Sequence, residues 1–215
     1  MSAIRLLALI LLCTILLGAC GRSDLIRVRL LSPIGETKKD HAIYSDLTKV
    51  STSKTTSADP KTSGGSLYFL FKSIGLGYTT ITTKMEKADE KLTEKTTLVT
   101  NFADVAFGIG ENYTFMWGAG VLTGGKWETS LEYDSETFNP KHNYLGGHSL
   151  FFVLGHHGFG FETLLGYRTN SIKAEFEEIN PSDEDIGKTG KDFTYESNII
   201  SLKTSQVQLG IGFTF

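Results

Sequence analysis

In long stretches between Ser66 and the last residue, apolar side chains recur at alternate positions, with glycine or a polar residue between them. A period of two is the period of a β-strand, whose successive side chains point to opposite faces. In residues 96–110, Val99, Ala103, Val105, Phe107 and Ile109 share one face. Thr100, Asp104, Ala106, Gly108 and Gly110 share the other. Residues 113–133 place Tyr113, Phe115, Trp117, Ala119, Val121, Trp127, Leu131 and Tyr133 opposite Thr114, Gly118, Gly120, Lys126, Glu128, Ser130 and Glu132. Residues 159–172 set Phe159, Phe161, Leu165 and Tyr167 against Gly160, Glu162, Gly166, Arg168 and Asn170, and the final stretch sets Val207, Leu209, Ile211, Phe213 and Phe215 against Gln206, Gln208, Gly210, Gly212 and Thr214. Six such stretches are clear between 66 and 215, and 23 Gly, 14 Phe, 8 Tyr and only 4 Pro suit a single all-β domain.

Two architectures produce this alternation. A soluble sandwich turns its apolar face inward, whereas a membrane barrel turns it toward lipid and keeps small or polar residues inside. The glycines separate the two. Gly75/Gly77, Gly108/Gly110, Gly118/Gly120 and Gly210/Gly212 are i, i+2 pairs, mostly on the less apolar face. A strand glycine weakens the strand unless space is needed beside it, and a narrow lumen needs that space. The connections agree. Residues 110–113 and 155–158 read as tight turns, while 85–95 (MEKADEKLTEK), 134–141 (DSETFNPK) and 178–191 (EINPSDEDIGKTGK) read as longer charged loops. The expected fold is therefore an all-β, antiparallel up-and-down transmembrane barrel. Eight strands are the usual minimum, so a weak pair is sought in residues 24–50, at 25–31 (LIRVRLL) and 41–50 (HAIYSDLTKV).

Gly124-Gly125 tests the assignment of faces. A two-residue hairpin there would move Lys126, Glu128 and Glu132 onto the lipid face, where a charge costs up to a few kcal/mol near the bilayer midplane. One long strand, continuous or bulged, keeps Trp127, Leu131 and Tyr133 outward instead. Face parity then predicts a lumenal charge network of Asp104, Glu128, Glu162 and Arg168, joined by Lys126. Buried charges need partners, so the expected role of this network is to plug the barrel.

The amino end carries an address. Arg5 precedes an apolar run from Leu6 to Leu17, followed by Gly18 and Ala19, which is the layout of an export signal. The segment Leu17-Gly18-Ala19-Cys20 resembles the lipobox of bacterial lipoproteins. That resemblance implies removal of residues 1–19 and lipidation of Cys20 as the mature amino terminus. Cys13 leaves with the signal, so Cys20 would be the one remaining cysteine and no internal disulfide could form. The mature chain would carry 20 basic against 24 acidic side chains, with no basic stripe for nucleic acid. The domain plan is a signal peptide at 1–19, a tether or linker holding the candidate first two strands at 20–65, and the barrel at 66–215.

The carboxyl end resembles the β-signal of outer-membrane barrel proteins: Gln208-x-Gly210-x-x-Phe213-x-Phe215 has the polar residue, the glycine and the two alternate aromatics. The resemblance implies recognition by the barrel-assembly machinery, an outer-membrane location and outer-membrane lipid as surroundings. In general appearance the chain resembles the small eight-stranded outer-membrane proteins. Some of these are lipid A deacylases that use Ser, His and an acid, which directs attention to His148, Ser149 and Glu162. There the Ser and His lie two apart on one face; here they are adjacent and would point to opposite faces. His156-His157 offers two diverging imidazoles and no evident third metal ligand. No catalytic, metal or cofactor residue is assigned. The expected function is structural or surface-interacting, through charged outer loops. The alternatives are a lipid-modifying enzyme, a narrow or oligomeric pore, and a soluble lipid-tethered sandwich.

Overall fold

The computed structural model describes residues 26–39, 56–57, 60–88, 92–133, 136–139, 141–158, 160–176 and 199–215. Its strands in chain order are β1 (Ile26–Lys39), β2 (Thr56–Ser57), β3 (Lys61–Phe71), β4 (Ile74–Ala88), β5 (Leu92–Gly110), β6 (Tyr113–Tyr133), β7 (Glu136–Phe138), β8 (His142–Gly158), β9 (Phe161–Phe176) and β10 (Ile199–Thr214). Every pairing is antiparallel. The two short strands lie off the barrel: β2 pairs with the end of β4, and β7 folds back on the end of β6. The other eight form a closed circuit, β3–β1–β10–β9–β8–β6–β5–β4 and back to β3. β1 and β10 lie side by side in this circuit, and their pairing extends to Phe215, whose N–H donates to Ile26 O at 2.9 Å while Ile26 N–H donates to Phe215 O at 3.3 Å. In a closed circuit each of these eight strands has a partner on both sides, whereas a sandwich has edge strands.

The strand count is the expected eight, with a different make-up. Of the two candidates in 24–50, the first lies in β1, whereas 41–50 lies outside the described residues. The second strand is β3, which begins at Lys61, so the barrel takes in residues 26–39 and 61–65 from the segment read as tether. Seven barrel strands, rather than six, begin at Lys61 or later, because β3 and β4 are parted by a two-residue turn at Lys72-Ser73 with no glycine to mark it; Lys72 itself holds φ 54°. The expected long loop at 85–95 is mostly strand: β4 and β5 stay paired out to Ala88↔Thr93. The turn placed at 155–158 falls later, since β8 continues to Gly158. Signal residues 1–19, Cys20 and the loop at 178–191 lie outside the described residues.

The barrel has two unlike ends. Lys72-Ser73, Glu111-Asn112 and the turn before Phe161 are tight and lie at one end with Ile26 and Phe215. The longer connections lie at the other. For its first eight residues or so from the tight-turn end, each strand turns apolar side chains outward. Phe69, Leu76, Val105, Val121, Leu150, Leu165 and Leu209 are all exposed. Inward glycines make the room expected of them. A Cβ on Gly77 would meet the Tyr68 ring, one on Gly118 the Phe151 ring, and one on Gly120 the Asp104 carboxylate and Ser149 Oγ.

Candidate functional site: the filled interior and its ion pairs

Alternation sends Asp104 from β5 and Arg168 from β9 into the lumen, where both are almost fully buried. Arg168 grips the carboxylate with both terminal nitrogens, Nη2 to Oδ1 at 2.8 Å and Nη1 to Oδ2 at 2.9 Å. A bidentate charge-assisted pair of this kind is about twice as strong as neutral hydrogen bonds. Nη1 also donates to Tyr68 Oη and Thr79 Oγ1, each at 3.1 Å, and Nη2 to Ser149 Oγ. Nε donates to Asn170 Oδ1 at 3.1 Å. The guanidinium lies against the Phe102 and Phe151 rings, 4.9 and 5.3 Å from their centroids. Asp104 receives a further bond from Thr79 Oγ1 at 2.6 Å. The pair thus has the dense hydrogen bonding that a desolvated ion pair requires.

Glu162 from β9 belongs to a second cluster nearer the tight-turn end. Arg29 binds it through Nε at 2.7 Å and Nη2 at 2.9 Å, and Nη2 also reaches Thr114 Oγ1 at 2.8 Å. Arg27 Nη1 stands 3.9 Å from the same carboxylate, and its Nη2 donates to Gly110 O at 2.9 Å. Neither arginine was among the residues expected in the lumen. The signal was present in LIRVRLL: Ile26, Val28 and Leu30 alternate with Arg27, Arg29 and Leu31, which is the parity rule applied to a short strand.

Glu128 and Lys126 are not in the lumen. They pair with each other on the outer surface, with 56% and 67% of their side chains exposed. The cause is a bulge: Asn101 pairs with Gly124 but Phe102 with Leu122, so Thr123 is left over. One extra residue flips the parity of everything beyond it. Trp127 and Thr129 therefore point inward and are buried, the reverse of the outward Trp127 expected. β6 is nevertheless a single strand through Gly124-Gly125.

The interior alternates in layers along the barrel axis. From the tight-turn end come the Arg27–Arg29–Glu162 cluster and then an apolar layer with Leu31, Leu70, Met116, Val153 and Leu164. The Asp104–Arg168 network follows, then a second apolar layer with Ile81, Met85, Leu98, Trp127 and Leu202. Two apolar clusters thus alternate with the two charged ones in the interior. Side chains fill an eight-stranded barrel of this width.

The remaining candidates do not converge. His148 points outward and Ser149 inward, where Ser149 Oγ is taken by Arg168, while Glu162 is held by Arg29 in the other cluster. His156 stands outside against Tyr113, with ring centroids 5.0 Å apart, and His157 Nε2 lies 3.1 Å from Thr214 Oγ1. Of the terminal motif, Gln208 is inward and buried, a Cβ on Gly210 would meet the Leu30 carbonyl, and Phe213 and Phe215 face outward.

The fold and interior define a small, closed, eight-stranded antiparallel barrel, apolar outside and plugged by side chains inside. Solved structures of similar architecture include Neisserial surface protein A, 12% identical over 91% of this chain and 99% of that one, with a TM-score of 0.43. The outer membrane protein OprG from Pseudomonas aeruginosa is 11% identical over 89% of this chain and 94% of its own, with a TM-score of 0.39. Both are small eight-stranded outer-membrane barrels. No family model matches the chain, and no curated protein does.

Proposed function

We infer that the chain is an outer-membrane barrel, exported by residues 1–19 and anchored by a lipid on Cys20. Its lumen is closed and its loop end presents charged strands and connections at the cell surface, as a structural or surface-interaction protein. The observation that carries this reading is the pairing of an apolar exterior with a filled interior. Eight residues of strand at ~3.3 Å each and ~40° tilt give an outward apolar band of roughly 20 Å, close to the height of a barrel's lipid-facing belt. The Phe213 and Phe215 rings stand on that belt, where the resemblance to an assembly signal needs them. The interleaved apolar layers favour a plug over a pore, and the separation of His148, Ser149 and Glu162 disfavours a hydrolase. Electrophoresis of the outer-membrane fraction in SDS tests the reading. The unboiled protein should run faster than the boiled protein, and deletion of Phe215 should lower the fast-running fraction. Identical mobility with and without boiling, with release by alkaline wash once Cys20 is replaced, would leave a soluble tethered domain instead.

A further inference from the structure

The barrel wall is incomplete on one side. β6 pairs with β8 from Tyr113↔His156 to Val121↔His148, and no β6–β8 pair forms beyond that among the described residues. Both strands nevertheless continue toward the loop end: β6 runs on against β5, and β8 begins at His142 and pairs there with β9. The ladder opens immediately before the bulge at Thr123, because the extra residue increases the local twist of β6 and carries its outer half away from β8. A side chain bridges the gap where a backbone bond is missing: Trp127 N–H donates to His142 Nε2 at 3.1 Å. Over the outer face of β6, between β5 and the start of β8, lies a cleft of about 600 Å³, lined by Lys95, Lys126, Lys141, Asn139, His142 and Trp127, among others.

Three features of this cleft point to one class of occupant. The first is charge: three lysines face a single carboxylate, Glu128, in the lining. Glu128 pairs with Lys126 and Glu86 lies 4.0 Å from Lys95, but both pairs are well exposed and so hold their lysines only weakly. The second is an orphaned donor. With Nε2 accepting from Trp127, the ring proton of His142 sits on Nδ1, and that buried atom has no hydrogen-bond partner among the described residues. A buried N–H without an acceptor is unfavourable, and a ligand oxygen reaching it would relieve that cost. The third is height. Val121 is the last outward apolar residue on β6 before the bulge, and Lys126 stands about four strand positions further, roughly 10 Å along the axis. The headgroup layer of a bilayer adds roughly 5–7 Å to each side of its hydrocarbon core, so a flexible lysine side chain reaches headgroup oxygens from this position. Lys84 and Lys173 also stand outward beyond the apolar band of their own strands, but the wall beneath them is fully paired.

We propose that this lateral cleft binds the phosphate of a phosphomonoester-bearing membrane lipid, with lysine ammoniums around the oxyanion, His142 Nδ1–H donating to it, and the lipid's upper chain or backbone lying along the outer face of β6. The proposal rests on the outer-membrane reading above. The full chain, folded in maltoside micelles, would be titrated with dihexanoyl phosphatidic acid, with the matching diacylglycerol, and with inorganic phosphate, while the heat of binding is followed by calorimetry. Phosphatidic acid should give a saturable change, and the added triple variant K95Q/K126Q/K141Q should weaken it by about tenfold or more, the loss expected when charge-assisted contacts are removed. Equal binding of diacylglycerol would overturn recognition of phosphate. Equal binding of inorganic phosphate would overturn the lipid as its source, and an unchanged titration in the triple variant would overturn the site. The boiled-versus-unboiled mobility shift on the same preparations separates the two readings: a preserved shift without a titration defeats the cleft alone, whereas loss of the shift defeats the barrel beneath it.

Discussion

Replacing Asp104 by Ala is expected to destabilise the barrel by about 3–5 kcal/mol, the cost of stranding a buried charge without its partner. Arg168 is fully buried, so its guanidinium does not exchange a lost carboxylate for bulk solvent while the barrel stays folded. Its bonds to Tyr68, Thr79, Ser149 and Asn170 would remain, but these are neutral oxygens that solvate the charge without cancelling it. The measurement is the urea midpoint of the barrel folded in vesicles, read by electrophoretic mobility of unboiled samples. The informative partner is the double variant D104L/R168M, which removes both charges and fills the space. Its cost should be much smaller, because well-packed apolar side chains replace a buried ion pair at little penalty. Loss of less than about 1 kcal/mol in D104A would mean that the interior is wet, since only water could screen Arg168 so well. The closed-lumen reading would then fall with it.

Such a network was legible in part. Asp104, Glu162 and Arg168 each follow from alternation on a strand with an unbroken register, and the inward glycine rows mark where bulky inward groups need room. Arg27 and Arg29 obeyed the same rule on a segment too short to stand out. Glu128 did not, and the reason is physical. Near the tight-turn end apolar residues face out, as Leu76 and Tyr78 do on β4; nearer the loop end of the same strand they face in, as Ile81 and Met85 do. The strand has not slipped. Its outer half has left the apolar band, so the surface becomes Lys84 and Glu86 and the interior takes the apolar side chains. β5 repeats this, with Val105 and Phe107 on the outer wall and Leu98 and Phe102 within.

On β6 the bulge at Thr123 conceals the change. Its parity flip cancels the exchange of apolar faces, so Trp117, Val121 and Trp127 fall on the same odd positions although Trp127 points inward. A single uninterrupted pattern in the chain thus covers two opposite environments. The cleft could not be anticipated from periodicity either, because it depends on where the β6–β8 ladder ends, and pairing between strands leaves no mark on the period of one strand. The polarity of residues 85–95 has the same origin. Charged strand that extends past a membrane and charged loop have one composition, and only the cross-strand register Glu86↔Lys95 and Lys87↔Glu94 tells them apart.

Leu165→Arg is the substitution on which a membrane exterior and a watery one disagree most. Leu165 lies outward near the middle of the apolar band, between Leu154 of β8 and Leu209 of β10 in register, and is 49% exposed. Against lipid, an arginine there should cost about 2–4 kcal/mol, because a cation near the bilayer midplane gives up hydration that no neighbour replaces. In water the same change at an exposed leucine would fall within about 0.5 kcal/mol of neutral. Ser171→Arg supplies the internal control, on the same strand and face six residues nearer the loop end. Its cost should be no more than about 1 kcal/mol, as expected close to the interface or beyond it. Refolding both variants into vesicles across a urea series gives the two values under one set of conditions. A steep difference between positions 165 and 171 places the bilayer edge between them on β9. Equal small costs would mean that the apolar exterior is covered by something other than lipid, and the band of Leu76, Val105, Leu150 and Leu165 would have to be read as a protein interface.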